Sequence, residues 1–172
     1  MLQLANALGV IDGISRLALT TATLTVVMRI LRSPMPIESF EKLQVDGAQI
    51  VYRRIGKGRP LVVVNGFAAT SADWDPLFID RLASSNQLIL LDNRGIGGSM
   101  DNRQPFDIAK LADDVARVIE TLDIERVNVL GWSMGGFIAQ TLALQHPGRI
   151  NKLILLSTDA GGADTDLASA PV

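Results

Sequence analysis

Four short, predominantly apolar runs, at 61–64, 88–91, 127–130 and 153–156, are separated by stretches whose apolar residues recur at helical spacing. A run with no polar alternation suits a strand covered on both faces. The intervening stretches are 74–83, then Ile108, Leu111, Val115, Val118, Ile119 and Leu122, then 137–144. Their apolar residues follow helical spacing, and Asp107 stands where a carboxylate caps the amino end of the middle one. Strands alternating with helices predict an α/β fold: a mainly parallel sheet, helices on both faces, and crossovers of one hand. Ahead of them, residues 43–45 and 49–53 flank Asp46-Gly47, a dipeptide that tolerates the positive φ angles of a tight turn, so an antiparallel hairpin opens the sheet. Ligand chemistry is expected at the carboxyl ends of the parallel strands.

With 172 residues, 48% of them apolar, the chain can bury one core, and one domain is expected. Its 16 basic and 18 acidic residues are scattered along the chain, which leaves no footprint for nucleic acid or anionic lipid. Small molecules are the expected partners. The absence of cysteine rules out disulfides and thiolate metal sites, and the single histidine, His146, cannot build a histidine cluster, so no metal centre is expected. Lack of cysteine also suits a reducing cytoplasm.

Residues 1–34 form an extension with Arg only at 16, 29 and 32 and no Lys, so the basic start of a secretory signal is missing. The apolar run 17–28 carries four threonines and is shorter than the ~20 residues a membrane span needs. Leu4, Leu8, Ile11 and Ile14 recur at helical spacing. Two readings stay open: an amphipathic helix, or an untranslated leader before a true start at Met35. The folded domain is expected over 35–172.

Gly131-Trp132-Ser133-Met134-Gly135 matches the GxSxG pattern directly between a strand run and a helical pattern. A serine on so sharp a turn needs unhindered neighbours, which Gly131, Gly135 and Gly136 supply. The turn lifts the hydroxyl clear of the sheet, and the following helix directs free amides and the positive end of its dipole toward it. A second glycine-rich stretch, 94–99, follows a strand but carries neither GxGxxG nor GxxxxGK[ST], so a nucleotide site is not expected there. Asp92 and Arg94 are expected to form a local ion pair shaping that loop.

Four segments in this order and spacing resemble the α/β-hydrolase superfamily over residues 41–162: 64–67, 92–99, 131–136 and 146–150. Their texture is similar to esterases, enol-lactone hydrolases and cofactor-free haloperoxidases. The resemblance implies Ser133 as nucleophile and the backbone amides of Phe67 and Met134 as an oxyanion hole. It implies no cofactor. The family usually has His where this chain has Asn65, a departure within the oxyanion loop.

Serine is a weak nucleophile unless a base takes its proton and an acid orients that base. In this family both follow the serine, the histidine last. Only His146 follows Ser133, and it stands at the far end of the next helix, roughly 20 Å away at ~1.5 Å per residue. It is therefore read as a structural helix-end residue. Asp159, just past the last strand run, is a candidate acid. The chain is expected to be the first part of a hydrolase, ending where the lid would begin and inactive alone, with residues 153–156 as an apolar edge prone to self-association. Three functions stay open: a serine hydrolase of a small ester, lactone or amide; a non-catalytic binding protein on the same scaffold; and half of a split hydrolase completed by another chain.

Overall fold

The computed structural model describes residues 40–101 and 103–161. The helix expected within residues 1–34 and the alternative start at Met35 lie outside the described residues.

Strand β1 (Glu41–Val45) turns at Asp46-Gly47 into β2 (Ala48–Ile55), the two turn residues having φ of 45° and 77°. Both angles are positive, as a tight hairpin turn between twisted strands requires. The sheet continues with β3 (Arg59–Val64), β4 (Asn86–Leu91), β5 (Val127–Trp132) and β6 (Ile150–Leu156). Its strand order is β1-β2-β4-β3-β5-β6; β1/β2 and β2/β4 are antiparallel and the remaining pairs parallel. The expected architecture is thus the observed one.

Three helices connect the parallel strands: α1 (Pro76–Ala83), α2 (Ile108–Thr121) and α3 (Met134–Gln145). Asp75 caps α1 by accepting from the Phe78 amide at 2.9 Å, which leaves Trp74 outside the helix that the sequence spacing placed it in. Pro76 then begins α1 where its missing N–H costs nothing. Asp107 caps α2 as expected, accepting from the Lys110 amide at 2.9 Å.

Alternation along the strands divides the core in two. Val62, Val64, Ile89, Leu91, Val127 and Val129 point to the face covered by α2 and α3, where Leu111, Val115, Val118, Ile119, Ile138 and Leu142 meet them. Leu61, Val63, Leu88, Leu90 and Leu130 point the other way, toward Ile79 of α1. Each such side chain removed from water contributes roughly 1.5–3 kcal/mol before its ordering entropy is subtracted. β6 differs from the strands inside the sheet. It is one of the two edge strands, and Leu153, Ile154 and Leu155 remain 36%, 40% and 42% exposed.

The expected Asp92–Arg94 pair is not formed. Arg94 instead reaches Asp114 on α2, with Nε–Oδ2 and Nη2–Oδ1 contacts of 2.7 and 2.6 Å, and both side chains are buried. Its Nη2 also donates to the Val45 carbonyl at 3.4 Å. A charge held among apolar side chains needs an opposite charge in fork geometry, and Asp114 supplies it from twenty residues downstream. Asp92 accepts backbone amides: Ser71 N–H on Oδ1 at 2.7 Å and Gly98 N–H on Oδ2 at 2.9 Å. The amides of Ile96 and Ser99 are bonded within the same loop, so residues 94–99 wrap a buried carboxylate and do not present a row of amides to a phosphate.

Candidate active site

β5 ends at Trp132 and α3 begins at Met134, so Ser133 alone makes the reversal from strand to helix. It does so at φ 53°, ψ −120°, a conformation that costs a non-glycine residue about 1–3 kcal/mol. Such strain persists only where the surroundings enforce it, and here they are glycines pressed against backbone. A Cβ on Gly131 would come within 2.8 Å of Gly136 Cα, and one on Gly135 within 2.7 Å of the Asn65 carbonyl oxygen. A Cβ on Gly136 would overlap the Thr158 side chain. Only glycine lets the start of α3 settle against the ends of β3 and β6 this closely.

Two backbone hydrogen bonds hold the turn. Ser133 N–H donates to the Leu156 carbonyl at 2.9 Å, and Gly136 N–H donates to the Ser133 carbonyl at 2.8 Å. The Ser133 side chain makes no capping bond to its own helix. Its hydroxyl is therefore not spent on the first-turn amides of α3, Met134 at their head.

The loop after β3 approaches from the opposite side. A Cβ on Gly66 would lie 3.3 Å from Ser133 Cβ and 3.1 Å from Trp132 Cε3, so Gly66 sits between the serine and the indole. Phe67 and Ala68 are the central residues of a turn closed by Ala69 N–H on the Gly66 carbonyl at 3.4 Å, with Ala68 at φ 57°. The Phe67 side chain is 80% exposed.

Asn65, the departure from the family pattern, is fully buried and fully used. Its Nδ2 donates to the Leu91 carbonyl at 2.9 Å, its Oδ1 accepts the Trp74 indole N–H, and its own carbonyl accepts Asn93 Nδ2 at 3.2 Å. The side chain thereby ties the end of β3 to the end of β4 and to the segment before α1. Sequence reading missed Trp74 in this role, since nothing in its spacing shows that its N–H meets Asn65.

Asp159 follows β6, and its neighbour Thr158 touches the start of α3. Gln140 of α3 donates to the Asp159 carbonyl at 2.7 Å and so pins this segment to the helix. The Asp159 carboxylate is exposed and turned into its own loop, accepting the Ala160 amide at 2.5 Å. His146 caps the opposite end of α3, the length of a 12-residue helix away from Ser133, about 18 Å at 1.5 Å per residue. Its Nε2 lies 3.1 Å from Asp113 Oδ1, and it lines a separate cavity of about 320 Å3 together with Asp46, Arg117 and Arg149.

Residues 59–171 match the sequence profile of the alpha/beta hydrolase fold. The chain belongs to the α/β-hydrolase family. Among its α/β-hydrolase relatives is a poly(3-hydroxyalkanoate) depolymerase of Ectopseudomonas oleovorans, 40% identical over 102 residues that make up 59% of this chain and 36% of that protein. A solved hydrolase from Pseudomonas aeruginosa superposes with a TM-score of 0.67 at 33% identity, covering 71% of this chain and 47% of the other. An esterase from Rhodococcus gives 0.65 at 32% identity, covering 70% and 46%. The chain spans about two fifths of the length of the curated relatives it matches. Among the described residues, no helix is long and apolar enough to cross a membrane.

Proposed function

We propose that this chain carries the nucleophile half of a serine hydrolase, in which Ser133 attacks a small ester, lactone or amide and forms an acyl-enzyme. The observation that carries the reading is the conformation of Ser133, strained at φ 53° between a strand and a helix and enforced by close-packed glycines. Strain of this kind on a residue with a nucleophilic hydroxyl, beside a helix amino terminus, is what acyl transfer needs. In the attack the Ser133 oxygen bonds to the carbonyl carbon, the serine proton passes to a base, and the oxyanion receives the amides of Met134 and Phe67. Collapse of that intermediate expels the leaving group, which takes the proton from the base. The depolymerase and esterase names among the relatives fit ester chemistry.

The base is not His146, which is bonded toward Asp113 at the other end of α3. On this reading the 172 residues acting alone turn over substrate at background, since loss of a triad base costs on the order of a millionfold. Asp159 is the weaker candidate for the acid, its carboxylate being engaged with its own loop. A second reading, in which another chain donates the histidine, is supported by the place of β6 at one edge of the sheet among the described residues and by its exposed Leu153, Ile154 and Leu155. Self-association would use the same edge. A cytoplasmic setting and a small-molecule substrate complete the proposal.

The test is turnover of 4-nitrophenyl acetate by the chain, by Ser133→Ala and by His146→Ala, each shown to be folded. The three rates are expected to coincide. A parent rate well above both variants would make His146 the base and overturn its structural role.

A further inference from the structure

We propose that the cavity lined by Trp74 and Trp132 is a subsite for an aromatic ring on an uncharged substrate attacked by Ser133. The proposal builds on the serine-hydrolase reading and adds the chemical class of the group bound. The cavity has a volume of about 150 Å3 and is lined by Asn65, Ala69, Thr70, Asp73, Trp74 and Trp132 among others. Apolar cavities of roughly this size accept benzene, so one six-membered ring fits.

Two of the lining residues are aromatic and packed in place. The two indoles meet edge to face with centroids 5.8 Å apart, and Phe78 stacks behind Trp74 at 5.6 Å and 17°. The Trp74 N–H is spent on Asn65, so this indole offers ring surface and no hydrogen-bond donor. Aromatic walls of this geometry favour a third ring over an alkyl chain of equal volume. Charge adds selectivity. The Asp73 carboxylate on the wall accepts the Thr70 amide at 2.7 Å and the Thr70 hydroxyl at 2.8 Å, two donors that favour its ionised form. Asp75 also lines the cavity. An anionic ligand therefore meets like charge.

Contact with the chemistry runs through Gly66. Trp132 Cε3 and Ser133 Cβ lie 3.1 and 3.3 Å from a Cβ placed on that glycine, so the bare Gly66 backbone lies against both the Trp132 ring edge and the serine. The preferred substrates are neutral esters, lactones or amides with an aryl group close to the scissile carbonyl.

The chain contains two tryptophans in all, and both line this cavity, so intrinsic fluorescence reports on it directly. The experiment titrates the full chain with phenylacetamide, phenylacetate and propionamide, which separate ring from charge and from the amide group. A saturable change with phenylacetamide is expected, about tenfold weaker binding of phenylacetate, and no saturable change with propionamide. Ala69→Leu, which fills the cavity, should abolish the phenylacetamide response. Asp73→Asn should narrow the gap between phenylacetamide and phenylacetate, a comparison that survives if Ala69→Leu fails to fold. Ser133→Ala should bind as the parent does, so failure of the serine assignment leaves the subsite readable. No saturable response to phenylacetamide, an equal response to propionamide, or an undiminished response in folded Ala69→Leu would overturn the proposal.

Discussion

Ser133 donates its backbone N–H to the carbonyl of Leu156 at 2.9 Å, so the last residue of β6 holds the residue on which the proposed chemistry depends. The edge strand is thus part of the nucleophile's support as well as part of the sheet. The glycines around the serine extend that support, because they allow the start of α3 to pack against the ends of the strands.

Gly131→Ala places a methyl group against the Gly135 carbonyl and Gly136 Cα. Neither is a flexible side chain that can swing away. A loss of about 1–3 kcal/mol is expected from overpacking, measured as a shift in the urea midpoint. Gly148→Ala serves as control, since nothing lies within 4 Å of a Cβ there.

Arg94 and Asp114 are buried, and each is the other's counter-charge. Asp114→Asn should therefore cost about 3–5 kcal/mol by leaving a guanidinium uncompensated in the core. Replacing both residues with apolar ones of similar volume should cost less than the single change, a result that equilibrium unfolding can read directly.

Asn65→Ala removes the partners of the Leu91 carbonyl and the Trp74 indole N–H together. Each buried group left unpaired costs about 1–3 kcal/mol. Trp74→Phe and Asn65→Ala act on one shared bond, so the double variant should lose less stability than the sum of the two. A double-mutant cycle by denaturant unfolding measures the difference.

The amide and then the hydroxyl of Thr70 hold the Asp73 carboxyl below its ordinary range. A carboxyl depressed in the folded state stabilises the fold above its unfolded pKa, and that contribution is lost as pH falls through the lower folded value. The stability difference between the parent and Asp73→Asn should accordingly shrink as pH is lowered from about 6 to about 2, the unfolded carboxyl titrating near about 3.9. Thermal unfolding of both proteins across that range shows the trend.

The layout of the domain was legible because its signals are local. Runs such as 61–64 must be covered on both faces, Asp107 must cap the helix it precedes, and Asp46-Gly47 must turn. The elbow was legible for the same reason, its strand, glycines and helix being contiguous. What escaped were partnerships made across the fold. Arg94 looked closest to Asp92 along the chain, yet α2 brings Asp114 to it, and Asp92 meets amides from two loops. Trp74 read as a helix residue, while the capping carboxylate of Asp75 starts α1 later and leaves the indole free to reach Asn65.

The most direct test of the central claim is the intact mass of the folded chain after exposure to a fluorophosphonate probe, with and without free imidazole as an external base, and with Ser133→Ala alongside. The account predicts no adduct without imidazole, one adduct with it, and none on Ser133→Ala under either condition. An adduct of equal yield on Ser133→Ala, or none on the parent even with imidazole, would contradict the assignment of Ser133 as the nucleophile.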